Sequence, residues 1–314
     1  TALYQNGVVV GEKSGSKRYF KPNDSITRAE LSVIVWQVMA FDDYIHFSSH
    51  VLEKLDGVPV NDYDNAAFVS SDGMMTYTKE NGSLAGIDVS SHQGTIDWAK
   101  VAEDGIDFAI IRCGGRYYQS GTVFEDKQFR ANIQGALDAG IQVGIYFFSQ
   151  ATSAQEAREE AQFVLDTIQG YDVTGPVVFD WENIGNDSAR TDGMTSAQVT
   201  AAANAFCGRI EAAGYQPMIY FNQYIGYLLY DLDQVTQYPF WLAEYNAVPS
   251  FYYHFEMWQY TSSGSVDGIT GKVDRNLWMP KEAPVRPDRP SQETEPGEDE
   301  EAMPPSQDIS REQS

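Results

Sequence analysis

Ala139-Gly140-Ile141-Gln142-Val143-Gly144-Ile145-Tyr146-Phe147 and Ala213-Gly214-Tyr215-Gln216-Pro217-Met218-Ile219-Tyr220-Phe221 decide the fold class. In each, a helical stretch ends at glycine and an apolar run follows that closes on Ile-Tyr-Phe. Glycine just past a helix supplies the left-handed residue that caps it. Gly105, followed by the apolar run 107–112, is a third copy of the pattern. Two capping boxes mark helix starts, Ser153 with Glu156 and Thr195 with Gln198. Helices alternating with nearly continuous apolar strands point to a parallel sheet covered by helices.

Working outward from these repeats, eight strands are expected, at 84–90, 107–113, 142–149, 176–182, 216–222, 239–245, 255–261 and 265–275. The early gaps hold helices. The late gaps, 246–254 and 262–264, are shorter than the ~10–12 residues a helical crossover needs. The expectation is a barrel that begins as β/α repeats and ends in plain strands, with its active site at the C-terminal strand ends. Around this 84–280 unit lie a short unit at 1–42, an irregular connecting segment at 43–83 and a tail at 281–314. The tail holds six Pro, ten Asp/Glu and four Lys/Arg and no aromatic residue, so it is expected to stay disordered.

The bulk numbers restrict partners. Of the 314 residues, 42% are hydrophobic, enough for a sizeable core. The net charge of −24 argues against nucleic acid, which needs clustered Lys and Arg. No apolar run is long enough to span a membrane. The chain begins at Thr1 without a leader and reads as a processed form or a cut piece. Cys113 and Cys207 show no metal-ligand spacing and are expected as two buried thiols rather than a disulfide. His46, His50 and His254 lack partners at metal spacing, and His92 reads as a hydrogen-bonding loop residue. Six Trp and 19 Tyr hint at a flat or sugar ligand.

The chemistry concentrates in Pro176-Val-Val-Phe-Asp180-Trp-Glu182. Residues i and i+2 of a strand face the same way, here about 6.6 Å apart along it. Neighbouring carboxyls raise each other's proton affinity, which favours one acid and one base, as glycoside hydrolysis requires. An isolated Asp-x-Glu is also compatible with metal binding or strand-end capping. Asp88 ends the first strand and Asp274 lies in the last, and first and last strands are neighbours in a closed barrel. Four acids would then meet at one mouth, with Tyr146, Tyr220, Trp241, Tyr245 and Tyr260 at comparable strand ends. Each aromatic alone could equally be core; together with the acids they suggest a sugar groove.

Asp88-Val-Ser-x-x-Gln93-Gly94, Phe179-Asp180-Trp181-Glu182, Trp241-Leu-Ala-Glu-Tyr245-Asn, Trp258-Gln259-Tyr and Val273-Asp274-Arg-Asn276 resemble, in this order, glycoside hydrolase family 25, the Chalaropsis-type lysozymes. The resemblance implies a (β/α)5(β)3 TIM-like barrel that cleaves the β-1,4 bond between N-acetylmuramic acid and N-acetylglucosamine in peptidoglycan glycan strands. It implies Glu182 as general acid/base, Asp180 as a stabiliser that orients the substrate's acetamido group, and Asp88 and Asp274 as acids tuning the site. Tyr146, Tyr220, Trp241, Tyr245 and Gln259 would contact substrate. No metal or cofactor is implied, and the protein is expected outside the cell or on the wall, as a monomer. A catalytically silent wall-binding module or another sugar hydrolase are the competing readings; loss of Asp180 or Glu182 would have marked the first.

At the N-terminus, Asn6-Gly-Val-Val-Val-Gly11 and Phe20-Lys-Pro22-Asn-Asp24-Ser-Ile26-Thr27-Arg28-Ala29-Glu30, followed by an apolar stretch to Met39, resemble an incomplete S-layer homology repeat. A small, mainly helical unit is expected, with Thr27 and Glu30 capping its helix. Arg28 would clasp an acidic secondary cell-wall polymer through charge-assisted hydrogen bonds. A remnant packed on the barrel is the alternative.

Overall fold

The computed structural model describes residues 12–14, 17–19, 28, 31–32, 34–35, 43–79, 82–185 and 188–281. Eight strands close into a barrel: β1 (Leu84–Val89), β2 (Phe108–Arg116), β3 (Gln142–Ser149), β4 (Val177–Trp181), β5 (Pro217–Asn222), β6 (Phe240–Ala243), β7 (Met257–Gly264) and β8 (Val273–Trp278). Neighbours from β1 to β7 pair in parallel. β8 runs antiparallel to both β7 and β1 and closes the ring. Helices α1 (Trp98–Glu103), α2 (Phe129–Asp138), α3 (Ala154–Thr167), α4 (Ser196–Glu211) and α5 (Gln223–Leu228) follow the first five strands in turn. This is the (β/α)5(β)3 order, and the last three strands are joined without α-helices.

The local signals account for the helix ends. Gly105, Gly140 and Gly214 take positive φ of 89°, 69° and 88° just past α1, α2 and α4, where a side chain would be strained. Thr195 and Gln198 form the reciprocal capping box of α4. Ser153 caps α3, but the Glu156 carboxylate does not complete the box; it accepts from Thr152 N at 2.8 Å and from Arg190. The final strand lies later than the expected 265–275. Gly268 and Gly271, at φ 90° and 95°, turn the chain there, so β7 continues to Gly264 and β8 starts at Val273.

Strand alternation sorts two cores. Val178, Met218, Trp241, Ile110, Phe108 and Trp278 fill the barrel interior. Val177, Phe179 and Phe221 face outward into the larger core under α2, α3 and α4. Gly86 also faces inward, because a Cβ there would sit 2.2 Å from the Phe108 ring. Both cysteines are free and buried as small apolar residues. Among the described residues no helix is long and apolar enough to cross a membrane.

The segment read as irregular holds two hairpins, Tyr44–Phe47 with His50–Glu53 and Phe68–Ser71 with Met74–Tyr77. They cover the flank that the helix-free strands leave bare. Tyr63 Oη donates to Phe255 O at 2.8 Å, His254 N to Pro59 O at 2.8 Å, and Asn61 N to Tyr252 O at 2.9 Å. Phe68 meets the outward-facing Trp258 edge-on at 5.3 Å. Phe68, Met75 and Tyr77 thereby belong to the same core as Trp258 and Leu277.

In the N-terminal unit, Glu12–Ser14 pairs antiparallel with Lys17–Tyr19, a strand pair where mainly helix was expected. Positions 28, 31, 32, 34 and 35 are helical, and Arg28 is exposed. The Thr27–Glu30 cap, the stretch to Met39 and the acidic tail beyond 281 lie outside the described residues.

If the second hairpin is part of the barrel core, Phe68→Ala should lower the stability of the whole barrel by about 3–5 kcal/mol. Urea unfolding followed by far-UV and near-UV signals should then shift as one transition. A barrel transition that stays in place would mean that the hairpins are an independent appendage.

Candidate active site

At the C-terminal ends of the parallel strands lies a cavity of about 240 Å³. Asp88 reaches it from β1, Tyr146 from β3, Asp180 from β4 and Tyr220 from β5. Trp241 comes from β6, Gln259 from β7, and Glu182 and Tyr245 from the residues just past β4 and β6. Asp274 joins them from the first turn of β8, because an antiparallel strand begins where its parallel neighbours end. Its Cα pairs with that of Asp88. Nine of the ten acids, aromatics and amide singled out in the barrel sequence therefore line one cavity, while Tyr260 lies elsewhere. Its hydroxyl accepts from Met75 N in the second hairpin. Arg28 belongs to the N-terminal unit.

The acids differ in how they are held. Asp88 is buried, and its Oδ2 accepts from Gln259 Nε2 and Asn276 Nδ2, both at 2.8 Å. Those two amides are themselves oriented. Gln259 Oε1 accepts from the hydroxyls of Tyr220 at 3.1 Å and Tyr245 at 2.8 Å, and Asn276 Oδ1 accepts from Trp241 Nε1 at 2.9 Å. Every donor in this relay points its N–H or O–H toward Asp88, and linked bonds of one polarity reinforce each other. Burial nevertheless pushes Asp88 up to about 7, with Asp274 beside it adding to the rise. Asp180 has no such support: it is 5% exposed, and its Oδ1 is buried with no hydrogen-bond partner. Burial raises it well above the usual carboxylate range, Glu182 and Asp88 raise it further, and Arg112 opposes them. Glu182 is raised by burial and then by Asp274, and Asp274 by its own burial. Four carboxyls in one low-dielectric space cannot all ionise at neutral pH, so the cluster holds protons that free carboxyls would release.

Three polar residues around the cavity escaped the sequence reading. Asn276 stands two residues beyond Asp274 and so on the same face of β8. Arg112 is a lone charge inside the apolar run of β2. It pairs with Asp126 at 2.6 Å, and Asp126 also accepts from Ser91 N in the loop after β1. Gln150 follows β3 and is wholly buried. Its Nε2 donates to the backbone oxygen of Glu182 at 2.8 Å, and its Oε1 accepts from Thr191 Oγ1 at 3.0 Å. That fixes the chain on which Glu182 hangs. His92 lies in the short turn Ser91–Gln93, which Ser90 caps. Among the described residues no group of three or more His, Cys, Asp or Glu is arranged to hold a metal ion.

A parallel barrel with a proton-sharing carboxyl cluster and aromatic walls at its C-terminal mouth defines a barrel glycosidase. The chain belongs to glycosyl hydrolases family 25, whose model matches residues 87–269; the S-layer homology domain model matches residues 1–32. It is 30% identical over 210 residues to lysozyme M1 of Streptomyces globisporus, covering 63% of this chain and 68% of that one. It is 27% identical over 193 residues to the autolytic lysozyme of Clostridium acetobutylicum, covering 61% of this chain and 54% of that one. Among solved structures, the modular autolysin LytC of Streptococcus pneumoniae, in complex with a synthetic peptidoglycan ligand, superposes with a TM-score of 0.56. The two are 27% identical, and the match covers 75% of this chain and 56% of that one. The chain thus spans little more than half of two of these relatives. A family 25 glycosyl hydrolase from Bacillus anthracis, 23% identical, shares the fold at a TM-score of 0.52, over 63% of this chain and 90% of that one. The family match ends before β8, so Asp274 and Asn276 are placed in the site by barrel closure alone.

Asp180 offers a direct check of the cluster. Its carboxyl lies above the ordinary 3.8 in the folded chain, so the folded state keeps a proton that the unfolded chain releases first. Stability must then fall as pH rises through that interval. Asn cannot ionise, so Asp180→Asn should gain on the parent steadily as pH rises above about 4. Urea midpoints across that range would show it. An advantage independent of pH would mean that Asp180 does not carry this burden.

Proposed function

We infer that the chain hydrolyses the β-1,4 bond between N-acetylmuramic acid and N-acetylglucosamine in bacterial peptidoglycan, with Glu182 as general acid/base and Asp180 as its partner. The observation that carries this reading is the unequal support of the two acids on β4. Glu182 keeps its proton through burial and the charge of Asp274, and it is the more exposed of the pair. Asp180 presents a buried oxygen with no protein donor. An N-acetyl sugar brings the missing donor, its acetamido N–H.

The chemistry follows from that pairing. Asp180 accepts the acetamido N–H and turns the acetamido oxygen toward the anomeric carbon. That oxygen forms a bond to the anomeric carbon as the glycosidic C–O bond breaks, and the Glu182 proton passes to the departing oxygen. The resulting oxazolinium is cationic, and the negative charge retained by the cluster stabilises it. Glu182, now a carboxylate, takes a proton from water as the water's oxygen attacks the anomeric carbon and reopens the ring. Two displacements at one carbon leave its configuration unchanged. Asp88 is held in place by the Gln259 and Asn276 amides, and Asp274 raises the proton affinity of Glu182.

Glu182→Gln preserves shape and removes the proton. Its rate of wall lysis should fall by at least ~10², while its unfolding midpoint stays near that of the parent. Early products of the parent enzyme should carry muramic acid at the new reducing end, in the retained anomer by NMR. Near-parental lysis by folded Glu182→Gln, an N-acetylglucosamine reducing end, or the inverted anomer would each defeat the assignment.

The S-layer homology match and the wall-lysing relatives support a protein that works on the cell wall, outside the cell. In this reading Arg28, exposed on the N-terminal unit, grips an acidic wall polymer. A single unit lacks the gain that linked copies provide, so its grip is weak and salt-sensitive. Arg28→Ala should reduce pelleting with intact walls at low salt and leave turnover of soluble glycan fragments unchanged. Equal pelleting would remove Arg28 from the wall contact.

A further inference from the structure

All three exposed aromatic side chains among the described residues stand at the mouth end of the barrel. Tyr117 directly follows β2, Tyr224 follows β5 within α5, and Tyr245 follows β6, each about half exposed. Exposed aromatics elsewhere would be unremarkable; three on one face, around a sugar-cleaving cavity, form a track. A second groove of about 400 Å³ lies between the hairpin 44–53 and the chain after β5 and β6, and Tyr224 is the chain neighbour of its lining residue Gln223. His46 and Lys54 line it from the hairpin, and Gln223, Tyr227, Ser250 and Tyr252 from the barrel. Rings and hydrogen-bonding groups alternate there: Lys54 Nζ lies 4.8 Å over the Tyr252 ring, and Gln223 Nε2 donates to Ser250 Oγ at 3.0 Å. A sugar has the matching character, an apolar ring face with a rim of hydroxyls.

The loop 244–250 separates the groove from the cleavage cavity: Tyr245 lines the cavity and Ser250 the groove. Glu244 is buried beside Tyr245, which lines the cavity. Its carboxylate accepts from Ser250 N at 2.9 Å, Ser250 Oγ at 2.6 Å and Asn246 Nδ2 at 2.7 Å. The loop 244–250 is thereby a rigid partition with the cavity on one side and the groove on the other. The groove's other wall, the hairpin, lies outside the part of the chain that the family model matches.

We propose that this groove, together with the exposed Tyr224 that follows its lining residue Gln223 in α5, is a distal sugar subsite that holds the glycan strand beyond the bond being cut; the proposal rests on the muramidase reading. The substrate is a polymer, and a strand long enough to pass the Tyr245 partition reaches the groove, whereas a short one fills only the cavity. Binding energy from that distant contact then appears in kcat/KM for long strands. The cation of Lys54 suits the lactyl carboxylates that muramic acid carries along the strand once stem peptides are removed.

The test uses the full chain and peptide-free glycan strands sorted by length. The parent should show kcat/KM rising with length to a plateau. Tyr224→Ala and Lys54→Ala should each lower the long-to-short ratio, and together they should lower it about tenfold, the equivalent of about 1.4 kcal/mol. Unfolding midpoints establish that both variants fold. A parent ratio that is flat with length, or variants that keep the parental ratio, would overturn the subsite while leaving the cleavage assignment intact. A ratio that falls only on strands bearing stem peptides would assign the groove to peptide and overturn it equally. Absence of cleavage of any strand by the parent would instead strike the muramidase reading itself.

Discussion

The antiparallel strand β8, hydrogen-bonded to β7 on one side and β1 on the other, is the constraint on which the site depends. A ring of parallel strands alone would bring only strand C-termini to the mouth. β8 enters in the opposite sense, so its first residues arrive there, and the register sets Asp274 against Asp88. The same register places Asn276 against Gly86, with the Asn276 amide on the Asp88 carboxylate and the Trp241 indole. A slip of one residue would turn Asp274 and Asn276 out of the barrel together. Two rigid features hold the register: the packing of Trp278 against Phe108 at 5.6 Å, and the glycine turn that ends just before Val273.

What this closure assembles is unfavourable in itself. Buried carboxyls with one another for neighbours are destabilising, and Asp88 is the one held by two side-chain amides, which offset part of its desolvation. In the proposed mechanism, the Asp180 oxygen left without a protein donor is the one that a substrate donor meets. The surrounding structure absorbs the strain through groups that touch none of the four site carboxyls. Gln150 pins the Glu182 backbone, Arg190 binds both the Gln150 carbonyl at 3.0 Å and the Glu156 carboxylate, and Arg116 is paired with buried Glu160 at 2.6 Å. Such a scaffold keeps the acids from relaxing apart, so their mutual repulsion is held as raised proton affinity rather than lost as movement.

The barrel was legible because its signals are local. A capping glycine, a short apolar run and an acid two residues from another are each readable without knowing what lies across the fold, and they placed seven of the eight strands. The last strand was misplaced because Val266, Ile269 and Thr270 read as strand residues, whereas Gly268 and Gly271 take positive φ and turn the chain there. The site residues were legible for a related reason: period-2 alternation assigns Asp180 and Glu182 to one face whatever surrounds them. Gln150, Arg112 and Asn276 were not, because their importance lies in a partner distant in sequence, such as Glu182 for Gln150. The hairpins of 43–83 were hidden more thoroughly. Their strands are four residues long and rich in polar groups, and their stability comes from rings that pack on the barrel.

That last dependence links fold to substrate. A (β/α)5(β)3 barrel leaves the outer flank of its final strands without helices, and Trp258, Phe255 and Leu277 cannot remain exposed there. Any segment that covers this flank must lie beside the mouth, because β7 ends and β8 begins at the mouth. The chain covers it with polypeptide drawn from before the barrel, and the first hairpin consequently meets the chain after β5 and β6, with Phe47 against Tyr227 at 5.1 Å. The covering segment thus adds a wall to the groove as a by-product of shielding the core. Residues on that wall are under weaker structural constraint than those beneath it, since Phe68 and Tyr77 do the packing while His46 and Lys54 are partly open to solvent. Substrate preference can therefore change on the hairpin surface without disturbing either the barrel register or the four acids.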